Sequence, residues 1–345
     1  MKKMKKKYLL FSIILGLLII GFSLSGLMAD KKPKYKWKFA TLGQDSIKMI
    51  SLLTVDFTQD VLKATNGDVK LVWYMGGTMG DEEDYVAKMR INQLQGAGIT
   101  GTANAMVCPG ISVLELPFLF NNWPEVHYVR KKLRPTVNKI SEKNGFKVLA
   151  MMDVDFEHFY STKYPMKTPE DIKKSKVLSW HGPLEAEVIK ALGGSPIPVN
   201  VPEVVPSTRS GVTDAAISPS FWWLAAQLYT ITKYINPLPI RYDPGVFIVS
   251  MKAWNKIPVN FQNAISKLAN DLEKNVNVEI RILCADALKA MINYGCKEVK
   301  MTPDEIAVFK KKTRPVWEKM VGKAYPRELL NEVLSHLNTY RAKKR

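Results

Sequence analysis

The sequence contains few of the residues that bind metals, form disulfides or serve as catalytic bases. Among its 345 residues are three cysteines and four histidines. Cys108, Cys284 and Cys296 are too few and too widely spaced for a zinc site; because their number is odd we expect buried thiols, with one disulfide as the open alternative. No histidine stands in a motif with a nucleophile, and no two acids form a paired-carboxylate motif. We therefore predict no catalytic residue, no metal site and no cofactor.

Long apolar runs are also absent, except at the N-terminus. Five lysines lie within residues 1–7, and an uncharged stretch follows over residues 8–29. A basic segment before an apolar one is typical of an export signal, and the stretch is also long enough to span a bilayer. Residues 1–29 are thus either a signal peptide, cleaved after Ala29 or Ser25, or an uncleaved anchor. Both place the remaining chain in the periplasm.

The charge does not indicate a nucleic-acid partner. The net charge is +18, and leaving out the five lysines of residues 1–7 gives 45 basic and 32 acidic residues, or +13. The basic residues are scattered, with short clusters at 310–314 and 341–345, and aromatic residues do not alternate with them as in a nucleic-acid groove. We expect solvated helix faces and no nucleic-acid partner.

Residues 176–219 have the pattern of a strand–helix–strand–helix–strand unit. The runs 177–180, 197–199 and 215–217 predict strands, and Leu184, Val188 and Leu192 share one face of the first helix. Pro202 and Glu203 suit the first turn of the second helix. An earlier unit has the same order, with strands at 38–41, 69–74 and 98–101 and helices at 46–65 and 81–95. Two such units predict an α/β protein with two lobes and a cleft between them.

Three longer segments connect these units. Residues 147–161 predict an extended strand that leaves the first lobe, and residues 246–251 predict a strand that returns to it, after an extended stretch at 235–240. Residues 259–294 keep a helical period throughout, which gives a helix of roughly 50 Å. We expect this helix to lie across both lobes.

Candidate ligand contacts follow from the strand ends, because ligands of open α/β sheets bind beyond the carboxyl ends of the strands. The second unit supplies Trp180, His181, Asn200, Ser218, Phe221 and Trp222, and the first supplies Thr41, Asp45, Ser46, Trp73, Tyr74 and Thr100. His181 fits ligand contact and loop stabilisation equally, and Trp73 and Tyr74 fit core packing as well as stacking on a ligand. The glycine-rich turn at 76–80 is an acid-capped helix start and not a phosphate loop, since the four acids at 81–84 would repel an anion.

In their order and spacing, several motifs resemble those of DctP-type substrate-binding proteins of TRAP (tripartite ATP-independent periplasmic) transporters. The motifs are Phe39-Ala40-Thr41 with Asp45-Ser46, Gly76-Gly77-x-x-Gly80 with Asp81-Glu82, Leu116-Pro117-Phe118-Leu119-Phe120, Thr168-Pro169-Glu170-Asp171, Val201-Pro202-Glu203-Val204 and Gly211-Val212-Thr213-Asp214-Ala215. The resemblance covers residues 36–300. It implies a two-lobed, periplasmic-binding-protein-like α/β architecture, a small organic ligand in the cleft, and delivery to TRAP membrane permease subunits. The lobes would comprise residues 30–153 with about 244–275, and residues 154–243 with about 276–345, including the C-terminal helices.

One departure from the family concerns the ligand. Members that bind carboxylates have an arginine in a second-lobe strand that opens Lys-Ile-Arg-Val, and its fork holds the substrate carboxylate. Here Leu178 holds that position. Arg209 and Arg241 could supply charge instead, although they also fit a helix surface and a loop. We expect a ligand other than a simple dicarboxylate, with more hydrophobic or aromatic character.

Two other functions fit the same fold. An exported α/β enzyme could use the same cleft, but it would need a nucleophile–base pair or a metal cluster there, and the sequence shows neither. A receptor for another importer or a sensor would differ in its docking surface and genomic neighbours.

Overall fold

The computed structural model describes residues 32–44 and 47–344. The predicted signal or anchor at 1–29 and the predicted contacts Asp45 and Ser46 lie outside these ranges. Within them, every helix is too short or too polar to span a lipid bilayer. The strands are β1 Tyr35–Ala40, β2 Val69–Tyr74, β3 Gly96–Ile99, β4 Phe146–Ser161, β5 Lys176–Ser179, β6 Ser195–Pro198, β7 Ala215–Ser218, β8 Tyr234–Ser250 and β9 Lys297–Glu298. The α-helices are α1 Lys48–Ser51, α2 Phe57–Ala64, α3 Glu82–Arg90, α4 Gly101–Val107, α5 Trp123–Lys143, α6 Pro169–Lys174, α7 Pro183–Ala191, α8 Val204–Arg209, α9 Ser220–Ala225, α10 Met251–Trp254, α11 Val259–Tyr294, α12 Pro303–Lys319 and α13 Arg327–Ala342.

The strands of the described residues form one sheet in the order β2-β1-β3-β8-β4-β7-β5-β6, with β9 on β8. At one end β1 pairs in parallel with β2 and β3, and at the other β5 pairs in parallel with β6 and β7. The long strands β4 and β8 pair antiparallel between the two groups. The two predicted units therefore form the two lobes, and β4 and β8 pass from one lobe to the other.

Strand β8 is continuous, whereas the sequence predicted two separate extended segments. Arg241 pairs with Glu157 of β4 and Asn236 pairs with Phe159, so residues 237–240 bulge opposite a single residue. Prolines are tolerated at bulges because no ladder hydrogen bond is lost there. The bulge is why Pro237 and Pro239 do not end the strand.

Helix α11 covers residues 259–294, as predicted. Its first half packs Phe261 and Ile265 into a core cluster with Phe57 of the first lobe. Near its end, Met291 packs with Tyr160 and other residues of the second lobe. The helix therefore lies across both lobes, which confirms the prediction.

Two helices of the first lobe differ from their predicted form. The predicted helix at 46–65 contains a π-helical turn, Leu52–Asp56, between α1 and α2, although its predicted apolar stripe is buried. Helix α3 ends at Arg90 and not at residue 95, because Asn92 takes a left-handed backbone conformation with φ of 65°. At its start, Asp81 and Asp84 form a capping box, which confirms the acid-capped turn.

The two C-terminal helices, which the sequence assigned together to the second lobe, pack on different elements. Helix α12 reaches α7 of that lobe through an ion pair between Lys319 and Glu187. Helix α13 lies instead on α5, where Arg341 Nη2 is 2.7 Å from Glu125 Oε2. The amphipathic pattern of α13 predicts a helix but not the helix on which it packs.

The three cysteines are free and buried. This confirms the expectation of buried thiols.

Candidate functional site

A cavity of about 240 Å³ lies where the strand ends of the two lobes meet. Its wall is formed by residues that follow β1, β3, β5, β6 and β7, by the start of α3, and by the middle of β4 and β8. This is the position that the strand-end rule predicts for a ligand. The volume equals that of about eight molecules of liquid water, which suits a small organic compound.

Most of the residues predicted as ligand contacts line this cavity. They are Thr41, Thr100, Trp180, His181, Asn200, Phe221 and Trp222. The first two come from the first lobe and the others from the second. The cavity therefore requires both lobes.

Three predicted contacts lie outside the cavity. Trp73 packs in the core, with its ring centroid 5.0 Å from that of Phe39, and its Nε1 donates to Thr58 Oγ1 at 2.9 Å. Tyr74 packs against the main core cluster, and Ser218 is fully buried in β7. For Trp73 and Tyr74 the structure thus favours core packing over contact with a ligand.

Two tryptophans form an aromatic wall. The ring centroids of Trp180 and Trp222 are 4.6 Å apart, with an angle of 68° between the planes. Trp180 Nε1 donates to the backbone carbonyl of Ile217 at 3.1 Å, so its polar atom is already bonded to protein. Edge-to-face packing and this hydrogen bond fix the orientation of the Trp180 ring.

Arg241 is fully buried beside the cavity and is bound by three carboxylates. Its Nη1 donates to Glu115 Oε2 at 2.9 Å, its Nε contacts Glu157, and its Nη2 is 3.5 Å from Glu185 Oε1. Burial alone would lower the pKa of Arg241, but these carboxylates raise it above its usual value, so the guanidinium stays charged. The sequence offered Arg241 as a loop residue or a source of charge for a ligand. It is neither, because it lies in β8 and its charge is committed to protein acids.

Arg209, the other candidate cation, is exposed at the end of α8 and donates to the carbonyl of Gln227 at 3.1 Å. This agrees with a helix-surface role. Leu178 is fully buried in a cluster with Trp223 and does not line the cavity.

Glu82 places a carboxylate on the cavity wall. It is buried at the start of α3, and its Oε2 accepts hydrogen bonds from the backbone N–H of Thr100 at 2.7 Å and from Thr100 Oγ1 at 3.1 Å. Burial raises the pKa of Glu82 to about 8, and the nearby charge of Asp81 adds to the increase, while the Thr100 hydrogen bonds oppose it. At pH 7 the neutral form of Glu82 therefore predominates, and the carboxylate forms as the pH rises through about 8.

Asp243 places a second carboxylate there. It is fully buried, and neither side-chain oxygen has a hydrogen-bond partner within the described part of the chain. Burial raises the pKa of Asp243 well above its usual value. A buried carboxylate without partners is rare in folded proteins and needs an explanation.

His181 lies between two acids. Its Nε2 is 3.3 Å from Glu157 Oε1, and its Nδ1 is 3.9 Å from Asp243 Oδ1. Burial lowers the pKa of His181, and the charge of Arg241 lowers it further, so the ring is neutral. Glu157, His181 and Asp243 bring oxygen and nitrogen atoms within 4.8 Å of one another and could hold a cation. They are far apart in the sequence, so no local metal motif reveals them.

Glu82 and Asp243 were not predicted as cavity residues from the sequence. Glu82 was interpreted only as part of a helix cap. Arg241 and Asp243 stand two residues apart in the largely apolar strand β8, and charged residues in such a strand are a signal of a buried site that could have been used.

The fold and the cavity define a two-lobed protein with a small cavity between its lobes, which is the architecture of solute-binding proteins. The chain belongs to the DctP family, bacterial extracellular solute-binding proteins of family 7, whose model matches residues 40–324. Proteins of this family bind solutes and are not enzymes.

The chain is similar to known members over most of its length. It is 25% identical over 292 residues to the 2,3-diketo-L-gulonate-binding periplasmic protein YiaO of Escherichia coli. The aligned region covers 83% of this chain and 85% of that protein. A sugar acid binding protein from Advenella mimigardefordensis, solved with galactonate, superposes with a TM-score of 0.83 at 20% identity, covering 89% of this chain and 99% of the other. A TRAP periplasmic solute binding protein from Desulfovibrio salexigens, solved with orotic acid, superposes with a TM-score of 0.82 at 18% identity. The superposition covers 90% of this chain and 99% of the other. These structures share the fold.

Proposed function

We propose that this protein is the extracytoplasmic receptor of a TRAP-type secondary transporter. It binds one small organic ligand between its lobes and delivers it to the membrane permease subunits. The observation that carries the proposal is the cavity at the strand ends, which is lined by residues of both lobes. Residues 1–29 would export the chain to the periplasm, as a cleaved signal or as an anchor.

The lobes of this receptor would divide where β4 and β8 cross between them. Asp153 pairs with Pro244, and the register of the two strands shifts directly beyond this pair. Irregular pairing weakens the ladder there and suits a hinge. We assign residues 30–153 with about 244–275 to the first lobe and residues 154–243 with most of the remainder to the second. Helix α13 goes with the first lobe, because it packs on α5.

The ligand would differ from a simple dicarboxylate. Among the described residues, neither lysine nor arginine lines the cavity, and Arg241 is bound to three acids. A dicarboxylate would enter with two negative charges that no lining cation could balance. Trp180, Trp222 and Phe221 offer instead an apolar surface for a hydrophobic or aromatic part of the ligand.

Ligand identification and a matched pair of tryptophan variants test the binding role. Native mass spectrometry of the purified protein should reveal a co-purified small molecule, and calorimetry with that compound should give its Kd. Trp180→Ala should raise the Kd more than tenfold, since it removes a fixed wall of the cavity. Trp73→Phe, outside the cavity, should leave it unchanged. Equal Kd values for wild type and Trp180→Ala would remove Trp180 from the site.

Delivery requires a separate assay. Vesicles that contain the small and large TRAP membrane subunits from the same genome should accumulate the identified ligand only when the purified protein is added with an ion gradient. Uptake that does not depend on the protein would contradict the receptor role.

Succinate should give no thermal shift, and a clear shift would show that a cation outside the described wall binds it.

A further inference from the structure

The ionisable side chains on the cavity wall are almost all acidic. Six acidic residues contribute to the described wall, namely Asp81, Glu82, Glu83, Asp84, Asp153 and Asp243. His181 is the one basic side chain among the described lining residues, and its ring is neutral for the reasons given above. Any compound that enters meets carboxylates without a lining ammonium or guanidinium group.

Several of these acids already have partners. Asp153 contacts Arg130, lies 2.9 Å from Arg281 Nη2 and accepts a hydrogen bond from Tyr242 Oη at 2.9 Å. Asp81 caps α3 and accepts the backbone N–H of Val201 at 2.9 Å. These carboxylates serve the fold, and their charge is largely compensated.

Glu82 and Asp243 are compensated less: Glu82 accepts hydrogen bonds from Thr100 only, and Arg241 lowers the pKa of Asp243 without offsetting the effect of burial. Within the described residues neither forms an ion pair with lysine or arginine, and Asp243 is fully buried with two oxygens that lack hydrogen-bond partners. Arg241 would be the nearest source of positive charge in β8, but Glu115, Glu157 and Glu185 occupy it. A buried carboxylate needs hydrogen-bond donors or a nearby cation, and without enough of them it takes up a proton. The structure thus contains acceptors for positive charge that form no ion pair with any described lysine or arginine.

Apart from Thr41, Thr100, Thr102, Asn200 and His181, the side chains of the remaining wall are apolar or aromatic, which argues for an organic cation over a bare metal ion. Met49, Ile50 and Leu53 line the cavity together with the Trp180 and Trp222 rings. An ammonium group gains energy both from a carboxylate and from the face of a tryptophan ring, while its carbon substituents fill the apolar space. A metal ion alone would leave most of the cavity unfilled.

Resting on the receptor function proposed above, we propose that the ligand of this cavity is an organic ammonium ion. Its charged nitrogen lies between the carboxylates of Glu82 and Asp243, and its carbon skeleton lies against Trp180 and Trp222. The protein thereby selects cations where the related structures described above hold organic acids.

A charge-matched panel tests this inference. Primary and quaternary ammonium compounds are compared in calorimetry with the carboxylate and the neutral amide of the same carbon skeleton, at up to about 1 mM, the weak end of useful affinity. Only the ammonium members should bind. Glu82→Gln and Asp243→Asn should each weaken binding about tenfold or more, the effect expected for a charged hydrogen bond. Glu203→Gln, an exposed acid outside the wall, should change it less than about twofold.

Each outcome of the panel decides between the two proposals. If carboxylates bind and Trp180→Ala abolishes that binding, the receptor function is retained and the proposal of a cationic ligand is overturned. The cationic ligand is also overturned if a divalent metal alone binds in a manner that depends on Asp243, or if no ammonium compound binds at all. Failure of vesicle uptake with an ammonium ligand that does bind would overturn the receptor function and leave the cation site intact. Melting temperatures of both acid variants near wild type show that they are folded.

Discussion

The raised pKa of Glu82 makes a testable prediction about folding. The group is buried, and burial raises its pKa from 4.5 to about 8. In Glu82→Gln the amide oxygen can still accept from Thr100, as Glu82 Oε2 does at 2.7 Å, but the side chain no longer ionises. The variant therefore removes a titration while keeping the packing.

The size of the effect follows from the two pKa values. A pKa that is higher in the folded protein than in the unfolded chain gives stability that is fully present below the unfolded pKa and is lost as the pH rises through the folded one. Between those values, each pH unit lowers the free energy of unfolding by about 1.4 kcal/mol. From about pH 5.5 to about pH 8.5, Glu82 should therefore lower it by about 3 kcal/mol.

Urea unfolding of the ligand-free protein measures this loss. The free energy of unfolding is determined for wild type and Glu82→Gln at both pH values, and the difference between the two proteins isolates Glu82 from all other titrating groups. Glu83→Gln is the matched control, since Glu83 is exposed on the same helix. If wild type and Glu82→Gln lose the same stability between the two pH values, Glu82 is not a high-pKa buried acid and the reasoning is refuted.

Three further predictions concern charge and thiols. Arg241→Met should destabilise the protein by about 3–5 kcal/mol at pH 8, because it removes the cation that the buried acids Glu115, Glu157 and Glu185 share; a loss under about 1 kcal/mol in urea unfolding would contradict the assigned ion cluster. The affinity for an ammonium probe should rise by up to about tenfold per pH unit between pH 6 and 8 and should be less pH-dependent in Glu82→Gln, because binding requires the ionised acid; calorimetry in which both proteins change equally would exclude Glu82 as the acid. In the folded protein Cys108, Cys284 and Cys296 should react slowly with a thiol reagent, because burial raises each thiol pKa, and fully after unfolding; rapid labelling of the native protein would contradict their burial.

The parts of the fold that could be predicted are those that local pattern dictates. Helix α11 matches its predicted bounds because its apolar period runs without interruption from residue 259 and Gly295 ends it. Helices α6 and α12 each start at a capping box. The boxes are formed by Thr168 with Asp171 and by Thr302 with Glu305. Caps and periods act within a few residues, so a sequence shows them directly.

The parts that could not be predicted depend on distant residues. Strand β8 continues through Pro237 because its residues 237–240 bulge opposite one residue of β4, and no property of residues 234–250 alone specifies that partner. The π-helical turn before Phe57 and the packing of α13 on α5 are likewise set by tertiary contacts. Each departs from local propensity where packing is stronger than the local preference.

The candidate site shows the same limit for charge. Counting residues gave a chain of net charge +18 and two arginines that could meet a ligand, which favoured neither sign for the cavity. The structure pairs Arg241 with Glu115, Glu157 and Glu185, which are separated from it by many residues, and Asp243 on the wall has no hydrogen-bond partner among the described residues. The sign of a binding site is thus decided by which charges remain after the protein has satisfied its own. The sequence shows which charged residues are present, but only the folded structure shows which of them are paired. Here a protein with a net positive charge has a cavity wall whose ionisable residues are mainly acidic.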